Sequence, residues 1–232
     1  MRILIVGDGK MGKAVARLAE ARGHAIHAVI GGWENAGGRA LTPERLQGAE
    51  VAVEFTRPDA ATANLERLIE AGVPVVTGTT GWLDQLPRIA ALVERRGGAL
   101  LHAANFSLGV HLFLHAAQDL ARRFAGRAEF DAFILEEHHA AKLDAPSGTA
   151  RELQRRAGAA DPARNFPVTS VRAGATPGTH LVAYDGQYER VTLAHVARSR
   201  EGFAAGALAA AEWLPGRPGV HTVEDMLFGE GG

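Results

Sequence analysis

No cysteine occurs among the 232 residues, which removes disulfides, thiolate nucleophiles and thiolate metal sites together. Redox chemistry must then come from a bound cofactor. No sign of charge dominates: 25 Lys and Arg stand against 26 Asp and Glu, a formal net charge of -1. A chain so balanced has no global field to draw nucleic acid or another polyanion, and its expected partner is a small molecule. Hydrophobic residues make up 47% of the chain, yet nowhere is there the run of about 18 or more apolar residues that a membrane span needs. Met1 and Arg2 lead straight into a short strand-like run, without the apolar block and cleavage site of a secretory signal. We therefore expect a cytoplasmic protein with no membrane partner. The length suits one to two domains at roughly 150 residues each.

Through the first half, short β-branched runs alternate with helical periodicity, the pattern of parallel βαβ units. Strands are expected at 3–6, 25–30, 51–55, 73–77 and 99–102, with helices at 13–21, 60–71 and 83–95 between them. Gly23, Gly72 and Gly97 follow the helix ends, where a left-handed residue is wanted. Pro58 suits a first helical turn, since its missing N–H would have had no partner there. The pattern changes after Phe106. A helix at 110–124, a strand at 130–135, a polar loop and a helix from Thr149 precede strand-like runs at 168–172, 179–184 and 188–195. Asp185 and Gly186 are read as the hairpin turn between the last two. The fold class expected is α/β: a Rossmann-type domain over 1–106, completed by 207–232 through a final helix at 203–214, and a smaller α+β domain with a mixed sheet over 107–206.

Gly7, Asp8, Gly9, Lys10, Met11 and Gly12 form a GxGxxG element between a strand and a helix. The first glycine permits the tight turn, the second lets a pyrophosphate approach the backbone, and the third allows close helix to strand packing. Alone the pattern also describes a mere tight turn; its context favours a dinucleotide, NADH or NADPH. The acid expected about 20 residues on, to hold the ribose 2′-hydroxyl, is absent from the end of the second strand, where Ile30, Gly31 and Gly32 stand. Glu34 is the nearest acid and Arg39 the nearest cation, which leaves the coenzyme open. Thr77 to Gly81, TGTTG, follow the fourth strand, and Asn105 to Ser107 the fifth. Such strand ends line the ligand crevice of an open parallel sheet, although small polar residues are also ordinary turn composition. Thr56 and Arg57 after the third strand are either part of that crevice or helix-capping and surface residues.

The densest set of donors is EEHHAAKLDAPSGTA, residues 136–150. Thr149 and Glu152 have the spacing of a capping box, which puts Ser147, Gly148 and Thr149 at a helix start where free N–H groups can hold a carboxylate. Lys142 adds a positive charge, and a histidine titrating near neutrality can donate the proton that accompanies a hydride. Against this, a His-His pair is more often a surface or core feature. Adjacent residues on a strand also point to opposite faces, so His138 and His139 converge only if the strand ends there. Two neighbouring histidines with Asp144 make a poor zinc set, and no metal is expected.

These residues resemble the 4-hydroxy-tetrahydrodipicolinate reductase family. Its hallmark, a glutamate, a short gap, two histidines, two variable residues, lysine, one variable residue and DAPSGTA, is complete here from Glu136. The likeness extends to GDGKMG, to FTRP at 55–58, GTTGW at 78–82 and ANFSLGV at 104–110, and to a late pattern of Ser199, Arg200, Phe203 and Gly206. The resemblance implies that His138 is the proton donor, that Lys142 is the other catalytic residue, and that His139, Gly148 and Thr149 bind substrate carboxylate. It implies that Gly7 to Gly12, Gly78 to Thr80 and Ala104 to Phe106 hold NADPH or NADH, and that a homotetramer reduces a cyclic dicarboxylate with loss of water, on the way to diaminopimelate and lysine. Two departures bear on coenzyme preference: a glycine loop one residue shorter than the GxxGRMG form many members carry, and the missing acid after the second strand. The alternatives are a reductase of another imine or oxo acid on the same fold, and a non-catalytic nucleotide sensor.

Overall fold

Aliphatic runs and glycine-ended helices give, in chain order, β1 (Arg2–Val6), α1 (Lys10–Ala21), β2 (Ala25–Ile30), α2 (Pro43–Leu46), β3 (Val51–Glu54), α3 (Pro58–Glu70), β4 (Val75–Thr77), α4 (Leu86–Arg96) and β5 (Ala99–His102). There follow α5 (Leu108–Phe124), β6 (Phe130–His138), α6 (Gly148–Ala160), β7 (Val168–Arg172), β8 (Thr179–Gly186), β9 (Arg190–Val196), α7 (Glu201–Trp213), β10 (Gly219–His221) and α8 (Val223–Phe228). The computed structural model describes residues 1–229. They form two compact units, Met1–Ser107 joined by the chain from Glu201 onward, and Leu108–Arg200.

The first unit is built on a parallel six-stranded sheet of order β10-β5-β4-β3-β1-β2. Its strands are apolar on both sides because both faces are covered. Leu4, Val6, Ala52, Val75 and Leu100 pack with Leu65, Leu68 and Ile69 of α3 and Ile89 and Val93 of α4. Ile3, Ile5, Val53 and Val76 alternate to the other face and are fully buried; there α7 packs against β3, β4 and α1. Each such side chain contributes roughly 1.5–3 kcal/mol by leaving water. The chain passes from β1 to β2 on one side and returns to β3 on the other, so the carboxyl ends of β1 and β3 flank the point where strand order reverses, the usual ligand crevice of an open α/β sheet.

The second unit is a mixed sheet of order β7-β6-β8-β9, with β6 and β7 parallel and the other pairs antiparallel. One face carries α5 and α6, whose Val110, Phe113, Leu114, Ala117 and Leu153 pack with Ala132 and Ile134 of β6 and Val182 and Tyr184 of β8. Tyr184 stacks on Phe124 with centroids 4.1 Å apart. Among the described residues no helix is long and apolar enough to cross a membrane.

Several expected boundaries move, each for a local reason. The helix expected from residue 13 begins at Lys10, because Gly9 is extended and its carbonyl already accepts from Lys13 N. Residues 83–95 are not one helix: Leu83–Gln85 form a 3₁₀ turn and α4 starts at Leu86, with a proline in its first turn. β6 runs to His138, three residues past the expected end. The hairpin turn lies two residues later than expected. Asp185 and Gly186 belong to β8, and Gly186 N bonds to Glu189 O around Gln187 and Tyr188. Gly186 is glycine for another reason: it pairs with Phe130, and a Cβ there would stand 2.8 Å from that ring. The residue 206/207 boundary falls inside α7, the whole of which belongs to the first unit.

Candidate active site

Three glycines after β1 serve different ends. Gly7 has φ +111, and a Cβ there would stand 2.0 Å from Phe55 O; one on Gly12 would stand 1.9 Å from Gly7 O. The protein's own backbone demands both. Gly9 is different, since its φ of -74 suits any residue and a Cβ would meet nothing within 4 Å. It caps α1, whose first turn carries no side-chain cap and no acid. Unpaired N–H groups, the positive end of a helix dipole and an absent side chain thus coincide at one spot, a cradle fit for the phosphates of a dinucleotide. Asp8 and Lys10 beside it are exposed, and Met11 is half-buried.

The loops after β3 and β4 are tied by a buried carboxylate. Glu54, fully buried at the end of β3, accepts from Thr77 Oγ1 at 2.6 Å, from the Thr56 hydroxyl and from Asn64 Nδ2 at 3.3 Å. Thr56 N in turn donates to Thr79 Oγ1 at 2.8 Å, and Trp82 Nε1 to Thr79 O at 2.8 Å. A Cβ on Gly78 would lie 1.9 Å from the Phe55 ring, which meets Phe106 edge to face at 5.9 Å. Gly78, Thr79 and Phe106 therefore gather around Phe55, while Thr80 and Ala104 are exposed. Asn105 Oδ1 accepts from Ser107 N at 2.7 Å, fixing the turn after β5. Every expected coenzyme residue lies at the carboxyl end of β1, β4 or β5.

Near the end of β2, where no acid stands, the nearest carboxylate, Glu34, accepts from Gly31 N at 3.1 Å and from Arg45 at 3.0 Å. The Arg45 hydrogen bond, with that of Gly31, holds Glu34 below the usual carboxylate range. Arg39, exposed, donates to the carbonyls of Glu34 and Trp33.

In the second unit the buried row Ala132, Ile134, Glu136, His138 along β6 changes from apolar to ionisable at its end. Cross-strand register places His180 of β8 opposite Glu136 and Arg172 of β7 beside His138. Glu136, with no exposed surface, divides its oxygens: Oε1 accepts from Arg172 Nη2 at 2.5 Å and from Ser147 N at 3.3 Å, and Oε2 meets His138 Nδ1. Burial raises its pKa, but hydrogen bonds from Arg172 and Ser170 and the charges of His138 and Arg172 outweigh that and hold it at about 2. Burial likewise lowers His138; Glu136 opposes, while Lys142 and Arg172 add to the lowering. His180, 4% exposed, is pushed down to about 4, by burial first and then by His138. A Cβ on Gly178 would stand 3.0 Å from His138 Nε2, so the glycine keeps that nitrogen uncrowded.

β6 ends at His138, so the two histidines part there: His138 is buried and His139, half-buried, opens the loop with its N bonded to Thr176 O. In that loop Lys142 Nζ pairs with Asp144 Oδ1 at 2.7 Å, and Arg172 Nη2 donates to Asp144 O at 2.6 Å. The expected capping box is not formed. Ser147 caps α6, its oxygen accepting from Ala150 N at 3.2 Å, and Glu152 pairs instead with Arg155 and Arg156. Gly148 and Thr149 still open the helix. A Cβ on Gly148 would meet nothing within 4 Å, so, as at Gly9, the fold itself does not require the glycine. Donor atoms of Glu136, His138 and His180 lie within 4.8 Å of one another, with the other oxygen of the carboxylate, Oε1, taken by Arg172. Arg172 and His180 escaped the sequence reading because register alone brings them in. The i, i+2 spacing of Glu136 and His138 on one strand face was a readable signal.

Residues 1–106 match the family "Dihydrodipicolinate reductase, N-terminus" and residues 109–227 match "Dihydrodipicolinate reductase, C-terminus". A 4-hydroxy-tetrahydrodipicolinate reductase of Christiangramia forsetii is 34% identical over 98% of both chains, and one of Xanthomonas campestris pv. campestris is 38% identical over 98% of both. Among solved structures, a dipicolinate-bound dihydrodipicolinate reductase from a Paenisporosarcina species superposes with a TM-score of 0.80 at 22% identity, covering 98% of this chain and 99% of that one. The chain belongs to the dihydrodipicolinate reductase family.

Proposed function

We propose that the protein reduces 4-hydroxy-tetrahydrodipicolinate to tetrahydrodipicolinate, with loss of water, in the route to diaminopimelate and lysine. The reduced nicotinamide coenzyme supplies a hydride. The proton that completes the reduction comes from His138. Glu136 holds Nδ1 of that ring, which leaves Nε2, beside Gly178, as the nitrogen that releases the proton. Lys142 and the N–H groups at Gly148 and Thr149 hold the substrate's carboxylates, with His139 assisting from the same loop. Lys142 is paired with Asp144 in the free protein, so an arriving carboxylate takes over a cation that is already positioned. On this reading Gly7 to Gly12 carry the coenzyme pyrophosphate, and Gly78 to Thr80 with Ala104 to Phe106 carry its nicotinamide half.

The observation that carries this reading is the bond from Ser147 N to Glu136 Oε1. It joins the carboxylate that grips His138 to the helix start that would hold an anion, so proton donor and anion clamp are fixed as one piece. Both coenzymes are expected to serve, because Glu34 offers an acceptor for ribose hydroxyls and exposed Arg39 a cation for a 2′-phosphate. The preference should stay below about a hundredfold, or ~2.7 kcal/mol. Val191 and Val196 of β9 and Val171 of β7 are exposed apolar side chains on the second unit and support assembly into a homotetramer, in the cytoplasm. Oxidation of NADH and NADPH with freshly generated substrate, beside a panel of other imine and oxo acids, tests the assignment. Turnover of the dicarboxylate far above the panel is expected, and equal or greater turnover of another acid would overturn it.

A further inference from the structure

A single buried carboxylate meets both an arginine and a histidine in the second unit. Glu136 Oε1 takes Arg172 and Oε2 takes His138, and no part of the carboxylate is exposed. We propose that Arg172, acting through Glu136, sets the proton affinity of His138 and so places the alkaline limit of the reaction. This rests on the reading of His138 as proton donor.

Among the described residues, four charged or titratable groups act on or meet His138. Glu136 stands two residues away on β6, Arg172 is its register partner on β7, His180 meets its ring edge to face at 5.1 Å from β8, and Lys142 comes from the following loop. His180 is pushed down to about 4, by burial first and then by His138, and is therefore neutral near neutral pH. The charge of Lys142 is offset by Asp144 at 2.7 Å. What remains is the division of Glu136. In a site of low dielectric, two cations on one carboxylate each weaken its hold on the other, and the Glu136 and His138 couple titrates as a unit. Arg172 therefore draws the carboxylate away from the imidazolium and lowers the pH at which the couple releases its proton. Arg172 also fixes Asp144 O at 2.6 Å, so its position is tied to the loop that bears Lys142. Arg172 touches no reacting atom on this account and is a positioning residue.

The test compares wild type with Arg172→Met, Arg172→Lys and Glu136→Gln. The His138 imidazole is titrated by nitrogen-resolved NMR on the intact chain without coenzyme, and kcat/KM is measured against pH. Arg172→Met should raise the apparent pKa of the couple by about one unit, Arg172→Lys should leave it near wild type, and Glu136→Gln should lower it. The alkaline limb of kcat/KM should move in the same directions. A purely structural role would depress the rate at every pH without opposite shifts. An unmoved or lowered pKa in Arg172→Met overturns the proposal; if that variant does not fold, an unmoved or raised pKa in Glu136→Gln does so. NMR shifts of the expected signs with an unmoved rate limb would support the tuning while contradicting His138 as proton donor.

Discussion

The Ser147 hydroxyl lies 3.0 Å from Nε2 of His180 while its oxygen accepts from Ala150 N at 3.2 Å. The hydroxyl keeps its own proton and a second lone pair, so it pairs with either protonation state of Nε2, and it is burial above all that keeps the ring neutral. Protonating the ring places a charge in a buried site. With the folded pKa lowered to about 4, the unfolded chain takes up this proton first as pH falls from about 6.5. Stability should therefore decline between pH 6.5 and 4, by up to ~3 kcal/mol from this group. Glu136, held at about 2, is a depressed carboxylate whose stabilising contribution is present above about pH 4.5 and is lost only as pH falls further toward 2. Urea unfolding at a series of pH values should show the first decline in wild type and a flatter curve in His180→Gln. Identical slopes would mean that His180 is not the group responsible.

Gly9 and Gly12 should separate ligand from fold. A Cβ on Gly9 meets nothing within 4 Å, so Gly9→Val should hardly change the melting temperature while the KM for coenzyme rises far more than that for substrate. Gly12→Ala drives a Cβ to 1.9 Å from Gly7 O and should cost stability, by about 1–3 kcal/mol if the backbone gives way. Unchanged coenzyme affinity in a folded Gly9→Val protein would make the loop structural only.

What the sequence reveals here depends on how local the cause is. The GxGxxG loop is legible because strand, turn and helix follow one another within a few residues; Gly12 answers to Gly7 O nearby, whereas Gly7 answers to Phe55 O from the neighbouring strand end. β10, at three residues, is too short for periodicity to register. The break before α4 is signalled by Pro87, at its second position, but the apolar pattern runs on across it. Gly186 misled because a glycine after an aspartate suggests a turn, whereas its reason is the Phe130 ring across the sheet. Arg172 and His180 join the site through strand pairing over 36 and 44 residues, counted from Glu136, and no spacing along the chain encodes register. The end of β6 at His138 follows from the same pairing, since Ala173 N closes the ladder onto His138 O.

Substrate binding and rate should come apart at the start of α6. Thr149→Ala and Gly148→Ala should raise the KM for the dicarboxylate while kcat changes little, because a carboxylate is held alike in ground and transition states. Gly148→Ala is the sharper case: its new methyl group meets no protein atom, so loss of affinity without loss of stability would point to the ligand. Lys142→Ala should lower kcat as well, since its cation also steadies charge developing on the ring. Equal effects of all three on kcat alone would contradict the division.

Coenzyme choice should respond to Glu34. Glu34→Gln removes the charge that Arg45 and Gly31 N hold at the end of β2, so the ratio of kcat/KM for NADPH over NADH should rise by about three- to tenfold, or ~0.7–1.4 kcal/mol. A fall in that ratio would place the carboxylate away from the ribose.

The central claim is that this chain reduces the cyclic dicarboxylate with His138 as its proton donor, and one kinetic comparison tests it most directly. Wild type and His138→Gln, each shown to be folded and to bind coenzyme equally, are supplied with freshly generated 4-hydroxy-tetrahydrodipicolinate, and oxidation of NADH and NADPH is followed. The account predicts turnover by wild type and a kcat lower by roughly 10² to 10⁴ in the variant, with coenzyme affinity preserved. A folded His138→Gln protein with near-wild-type kcat, or a wild type that oxidises neither coenzyme, would contradict it.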